Sequence, residues 1–340
     1  MIEFPEMKGV SLFWQLTKRH LLVFFRNKIR IFFTLMVPFI IFVIYILFLR
    51  DLELSSVNSV IAGVSEEYGD AALKNLTADP EFMSRVRTLI DSWMLSGIIA
   101  ITTITVSLQT NTIIVADRET GVNKDFASSP ISRNLLIGSY FLFNLIVTVL
   151  ICFIFLLVCI IYLACLHELN MTFVDFLSIF GILVYSSVVS VLFTVFISSF
   201  VSRDATMASI TTITSTAIGF LIGAYMPFAM LPKFVQNICV FVPGTFSCSL
   251  LRYSFMATPL SDLTSYLAQN PELTNSAELI RELMNGFGYN VEFFGMSLTP
   301  WMQAIGQLIV MIIFLVLNIV SGKHVVKVIG DVGKKFKKKK

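Results

Sequence analysis

Residues 26–51 read RNKIRIFFTLMVPFIIFVIYILFLRD, and this stretch decides the fold. Arg26, Lys28 and Arg30 stand before an apolar run, Arg50 and Asp51 close it, and no charge interrupts Ile31–Leu49. One membrane helix needs about 20 consecutive apolar residues, so the run is written for lipid. Pro38 inside it predicts a kink and not a break, because neighbouring helices can satisfy the carbonyl it frees. The run has no small-residue cleavage pattern behind it, so it is expected to stay as a signal anchor.

The same signature recurs at Ser92–Ala116, Asn134–Leu166, Phe176–Ser202, Ala205–Leu231 and Phe293–Gly322. The expectation is an all-α integral membrane protein with six transmembrane helices over residues 31–322. Basic residues are retained on the cytoplasmic side. Lys8, Lys18, Arg19, Arg26, Lys28 and Arg30 precede the first span, and Lys323, Lys327 and the Lys334–Lys340 run follow the last. Both termini are therefore expected in the cytoplasm, as an even number of spans requires. Asp51, Glu53, Glu66, Glu67, Asp70, Asp79, Glu81 and Asp91 make residues 51–91 acidic, and Pro259–Glu292, within residues 232–292, is similarly rich in acids. These become the two external segments.

Composition agrees: 56% of residues are hydrophobic and 14% charged, against about 25% charged in soluble domains. A large water-surrounded core is excluded. The basic tail, residues 323–340, either anchors topology or holds anionic lipid at about 1 kcal/mol per basic residue. Cys152, Cys159 and Cys165 fall inside the third span, whereas Cys239 and Cys248 either pair on the outer side or stay free.

Residues 1–30 form an amphipathic pattern. At 100° per residue, Lys8, Gln15, Arg19, Arg26 and Arg30 share one stripe, with Val10, Phe13, Trp14, Leu21, Phe24 and Phe25 opposite. That is the pattern of a helix lying in the membrane interface. Asp79-Pro80-Glu81 supplies an N-cap, a proline at the first helical position and an acid in the first turn, so a helix starts there and runs into the second span. Residues 117–133 are the inner loop with room for a helix, since only Ser202-Arg203-Asp204 joins spans four and five. Residues 234–251 are apolar but interrupted by Pro243-Gly244, and a seventh crossing would put the tail outside, so they read as an outer re-entrant or interfacial hairpin between spans five and six. Asn275 and Glu278 have capping-box spacing before Leu279, Ile280, Leu283 and Met284, with Gly286 and Gly288 as the stop, an external amphipathic helix.

No catalytic or metal constellation appears. His20, His167 and His324 lie at different span ends, and there is no HExxH, GxSxG or Walker phosphate loop. The runs themselves lack the mid-membrane charges of ion-coupled carriers. They hold hydroxyls and amides: Ser96, Thr102, Thr103, Thr105, Ser107, Gln109, Thr110 and Asn111, then Ser187, Ser190, Thr194 and Ser198, then Thr211, Thr212, Thr214, Ser215 and Thr216. These either line a polar path or let helices pack closely, and Gly219 with Gly223 makes a small-xxx-small pair, so Thr212, Ser215, Gly219 and Gly223 are the dimer or pathway candidates.

The stretch Ala116-Asp117-Arg118-Glu119-Thr120-Gly121, then Ser129-Pro130-Ile131-Ser132-Arg133 and Ile137-Gly138, resembles the cytoplasmic loop of ABC-2-type permeases, the membrane subunits of type V ABC exporters. In that family an (E/D)RExGT segment starts a short coupling helix and a P-x-S-R segment leads into the third span. Arg26-Asn27 resembles the end of its connecting helix, and Leu231-Pro232 with Pro243 to Arg252 its outer re-entrant segment. Val122 departs where the family favours Thr, and Ser139 where Lys is common. The resemblance implies a dimerising half-transporter in the cell membrane, of bacterial type, with ATP and magnesium bound by separate cytoplasmic ATPase subunits and no cofactor in this chain. Asp117, Arg118, Glu119, Gly121, Lys124 and Asp125 are then the ATPase-coupling residues, and Arg19, Arg26 and Arg30 seat the interfacial helix. The second subunit is a copy of this chain or a homologue, membrane lipid surrounds it and no nucleic acid is involved. The substrate would be amphipathic or lipid-like: a drug, an antimicrobial peptide, a lipid or a lipid-linked glycan. The alternative is an ATPase-independent channel or carrier, or a membrane-embedded lipid-modifying enzyme.

Overall fold

A computed structural model describes residues 9–68, 75–128, 131–166, 171–226, 231–269, 275–287, 289, 291–293 and 296–337. Asp70, Ser129-Pro130, His167, Gly288 and the end of the tail from Lys338, all singled out above, lie outside the described residues. So do the side chains of Lys124 and of the basic residues after Ser321.

The described chain is almost wholly helical: α1 Gly9–Arg26, α2 Lys28–Ile44, a π-helical turn Tyr45–Leu49, α3 Arg50–Tyr68, α4 Pro80–Glu119, α5 Val122–Ser128, α6 Arg133–Leu166, α7 Phe173–Ser199, α8 Asp204–Leu221, α9 Lys233–Cys239, α10 Thr245–Ala268, α11 Ser276–Gly286 and α12 Pro300–Lys337. A short antiparallel hairpin, β1 Val291–Phe293 and β2 Met296–Leu298, precedes α12 and registers Val291 with Leu298. Five helices are long and apolar enough to cross a membrane: Lys28–Glu67, Pro80–Glu119, Asn134–Leu166, Phe173–Ser199 and Pro300–Ser321. This is a multi-pass membrane protein.

Its centre is α4. Asp79 caps it by accepting the Glu81 N–H at 3.0 Å, Pro80 occupies the first helical position, and the helix runs unbroken for 40 residues, as its start signal predicts. At 1.5 Å per residue that is about 60 Å, twice the hydrocarbon thickness. From Leu89 to Leu108 every side chain is buried, because α2, α6, α7, α8 and α10 all pack around it. Small and hydroxylated residues on all sides of α4 let these neighbours approach closely. Thr103 meets Ser190 of α7 at 2.9 Å, Ser107 meets Thr194 at 2.5 Å, and Asn144 of α6 reaches Asn111 at 2.8 Å while accepting from Thr148. Within this chain those hydroxyls join helices and do not line an open path.

Four expectations are corrected. The N-terminal helix ends at Arg26, because Asn27 leaves helical geometry (ψ 88°) and caps α2 through the Arg30 N–H at 3.0 Å; Arg30 therefore belongs to α2 and leaves the stripe of Arg19 and Arg26. The α1 helix also has a third face, since Leu16, Thr17, His20 and Phe24 are buried against α6. The fifth run does not extend to Leu231: α8 stops at Leu221, and its hydroxyl-rich 18 residues are not among the helices apolar enough to span. The chain turns at Gly223, whose φ of 67° is left-handed, and packs Ala224 against Gly97 in the middle of α4. The last run begins later than Phe293, because the β-hairpin precedes Pro300.

Between α8 and α12 the chain makes α9, a turn at Gly244 (φ 110°) and α10. A Cβ on Gly244 would lie 2.6 Å from Ile104 Cδ1, so the turn is pressed onto α4 well below its Pro80 end. From there α10 runs along α4 until the Tyr266 hydroxyl donates to Asp79. The amphipathic α11 buries Leu279 and Leu283 and packs on α3, but Asn275 makes no side-chain cap and Glu278 pairs with Arg281 instead, so the capping box does not form. Cys239 and Cys248 are buried and unpaired.

Candidate functional site

The final turn of α4 sends three consecutive charged side chains to three different places. Asp117 accepts two bonds from the Arg19 guanidinium of α1, at 2.6 and 3.0 Å, and one from the Tyr140 hydroxyl of α6 at 2.6 Å. The two-pronged geometry is the strong form of an arginine–carboxylate pair, and Asp117 is only 7% exposed. Arg118 donates to the carbonyl oxygens of Ser198 and Val201, at 2.5 and 2.8 Å, where α7 ends. Glu119 accepts the Asp204 N–H at 2.7 Å, where α8 begins. A cation at one helix C-terminus and an anion at the next N-terminus satisfy orphan backbone groups and match both helix dipoles.

Gly121 then turns the chain into α5 with φ 85°. A Cβ there would meet nothing within 4 Å, so the backbone conformation alone calls for glycine. On α5, Phe126 lies under Arg19, with the guanidinium carbon 5.4 Å from the ring centre, while Asp125 is exposed. The neighbouring His20 stacks on Tyr140 at 4.0 Å, lies 3.1 Å from the Arg19 guanidinium and 3.3 Å from Ser139 Oγ. Burial and then the Arg19 charge push the imidazole down to about 4, so it is neutral at physiological pH. Arg19 itself is held above its ordinary value by its bond to Asp117. Arg19 thus touches α4, α5 and, through His20 and Tyr140, α6.

Of the expected coupling residues, Asp117, Arg118 and Glu119 face the chain's own helices, and Asp125 is free to meet another molecule. Of the interfacial set, Arg26 is exposed, Arg19 is committed to Asp117, and Arg30 stands at the start of α2. His20 and Tyr140 join the junction without any sequence signal beyond an isolated histidine. The pathway candidates divide. Thr212 is exposed on α8 with its hydroxyl on the Ala208 carbonyl, and Ser215 Oγ is buried without a partner. Gly219 packs on the Tyr225 ring and the Gly223 carbonyl accepts from Arg252, so within this chain those glycines serve a turn.

At the other end of α4 lies a second polar knot. The π-helical turn bonds the Arg50 N–H to the Tyr45 carbonyl and brings both side chains onto Asp91, which is fully buried. Tyr162 of α6 adds a contact at 3.4 Å. Nearby in the fold, Arg252 of α10 is buried with its guanidinium 4.6 Å from the Trp93 ring centre and a bond to the Gly223 carbonyl. The apolar runs are free of charge, but the bundle is not. Among the described residues no group of three His, Cys, Asp or Glu could hold a metal.

Residues 11–256 match the family model described as ABC-2 type transporter. No curated protein matches the chain. The match spans most of the sequence, and the chain belongs to the ABC-2 type transporter family: a transport permease that is not itself a catalytic ATPase.

Proposed function

We propose that this ABC-2 transporter chain is the membrane half of an ATP-driven exporter, receiving its stroke through α5 and moving an amphipathic or lipid-like substrate outward. The observation that carries this reading is the Arg19–Asp117 junction, which locks α1, the end of α4, α5 and α6 into one unit beside an exposed short helix. A partner ATPase, binding ATP and magnesium, would push on α5 and α1. Asp117, Arg118 and Glu119 would then act as transmitters and not as docking contacts, because rigid elements with two packed arrangements carry such transitions.

In this reading the chain crosses six times: the five long apolar helices cross, and α8, less apolar and only 18 residues long, makes the fifth crossing in chain order packed along α4, with a reach of about 27 Å, while α9–α10 form a re-entrant hairpin. The seat of Gly244 against Ile104 supports it. Both termini are cytoplasmic, α3 and α11 are external, and the protein resides in a bacterial cell membrane. The exposed α8 face with Thr206, Ser209, Thr212 and Thr216 meets a second permease subunit, since helix interfaces in lipid favour small and hydroxylated residues.

The test is reconstitution of the purified chain with an ATPase, comparing wild type with Asp125→Arg on α5 and Asp117→Asn behind it. Both variants should insert and dimerise yet lose substrate-stimulated ATP hydrolysis. Wild-type transport without any ATPase would overturn the proposal in favour of a channel or carrier.

A further inference from the structure

The last apolar helix, α12, carries three side-chain amides, and the fold treats them differently. Asn318 donates to the Leu192 carbonyl of α7 at 2.8 Å and to the Phe314 carbonyl one turn back at 2.7 Å. Nearer the start of α12, Gln307 is 1% exposed, and neither its Nε2 nor its Oε1 has a hydrogen-bond partner among the described residues. Turning that amide over exchanges its two atoms and satisfies neither. Gln303, one turn earlier, donates Nε2 to the Leu298 carbonyl at 2.9 Å but leaves Oε1 buried and unbonded among the described residues.

The neighbours of α12 fix what these amides face. It runs parallel to α7, since the Tyr185 hydroxyl donates to the Ala304 carbonyl at 3.0 Å and Asn318 meets Leu192 farther along both helices. The α10 helix packs on both and runs the opposite way along α7, where Thr258 meets Asp175 and Ser254 lies 3.4 Å from Ser178. A Cβ on Gly306 would lie 2.9 Å from the Phe246 ring of α10. Gln303 and Gln307 therefore flank that contact on α12, and Ser249 stands one turn from Phe246 on the same side of α10. Ser249 is buried with its hydroxyl unbonded among the described residues, as are Ser247 of α10 and Ser186 of α7 in the same three-helix packing. Buried polar groups in native interiors are almost always bonded, either to protein or to ordered water.

We propose that this seam is a binding site for ordered water, held by Gln303 and Gln307 of α12 and Ser249 of α10. Gln307 offers an unmet N–H donor and unmet oxygens stand beside it, so the ligand must both donate and accept. A cation would serve only the oxygens, and an anion only the N–H. Gln307 is closed off within the chain, which leaves water as the O–H group small enough. A buried water makes about three hydrogen bonds to groups otherwise unsatisfied, which two amides and a hydroxyl supply. Bonds to water change partners without leaving a polar group bare, so α10 can shift along α12 at this seam, whereas Asn318 ties α12 directly to α7. That consequence rests on the re-entrant reading of α9–α10, and the site itself does not.

The experiment is thermal unfolding of the purified full chain in detergent, comparing wild type with Gln303→Met, Gln307→Met and the two combined. Each single substitution takes one partner from the water and leaves the others short, so the midpoint should fall by about 2–4 °C. The combined variant should lose less than the sum of its singles, because water without amide partners leaves the seam. A dry seam gives the opposite sign: methionine, close to glutamine in length, would remove an unmet polar group and raise the midpoint. A rise or no change with Gln307→Met overturns the proposal. A cryo-EM map of the full chain that resolves internal water elsewhere is the second readout. Density bridging Gln307 to Gln303 or Ser249 is expected there, and its absence overturns the proposal whatever the variants do. Neither readout needs an ATPase or export, so the seam and the transport reading can fail separately.

Discussion

Removing the Arg19 side chain should separate the junction's two duties, holding α1 in place and relaying motion. Arg19→Ala deletes both bonds to Asp117 and the contact with Phe126, and leaves a carboxylate that is nine-tenths buried with Tyr140 as its remaining donor from another helix. Breaking a buried ion pair by removing one partner costs about 3–5 kcal/mol. The Arg19 side chain is 33% exposed, so water enters after truncation and the cost falls to about 2–3 kcal/mol. For a large chain that corresponds to a midpoint lower by about 4–8 °C. The assay is a double-mutant cycle, with Arg19→Ala, Asp117→Asn and the pair compared by thermal unfolding in detergent. Asp117→Asn keeps an acceptor for Tyr140 but loses the charge, so the pair should be less destabilised than the sum of the singles by about 1–3 kcal/mol. Arg19→Lys should recover only part, because lysine cannot reproduce the two-pronged bond. A coupling energy indistinguishable from zero would refute the claim that these side chains form one working unit.

Gly121→Ala should cost about 1–2 kcal/mol purely through its left-handed backbone, with Gly121→Asn milder, as measured by unfolding midpoint; equal stability of glycine and alanine variants would mean the turn is not fixed. Stability should fall as pH drops from 6.5 toward 4, because the unfolded chain protonates His20 before the folded chain does; the loss approaches about 3 kcal/mol below pH 4, and His20→Gln should flatten that limb of the pH–stability curve. Single cysteines at Asp125 and Arg281 should react oppositely with a membrane-impermeant reagent in intact cells, position 281 labelled and position 125 protected, and labelling of both would put the two ends on one side.

The inner loop stands out in the sequence because three adjacent charges at the end of an apolar helix have few reasons to be there. What the sequence does not convey is direction. Successive residues on a helix point 100° apart, so Asp117, Arg118 and Glu119 reach α1, the α7 end and the α8 start, although as a string they look like one solvated patch. Hydropathy likewise finds the runs but is blind to turns between apolar residues. Nothing charged separates Ala205 from Leu231, yet the backbone reverses at Gly223, and the spacing of Gly219 and Gly223 resembles a helix-packing face only because φ is invisible in a sequence. Asp91 is assigned outside by its charge and is in fact fully buried, because the π-helical turn supplies it with Tyr45 and Arg50 from a helix far away in sequence. Asp91 in the first half of α4 and Asp117 in its last turn thus carry similar devices, each a carboxylate held by an arginine and a tyrosine from other parts of the chain. The uninterrupted helix α4 links them. Tilting α4 at the α5 end would therefore act on the distant clamp through one stiff rod, without requiring a chain of small side-chain rearrangements between them.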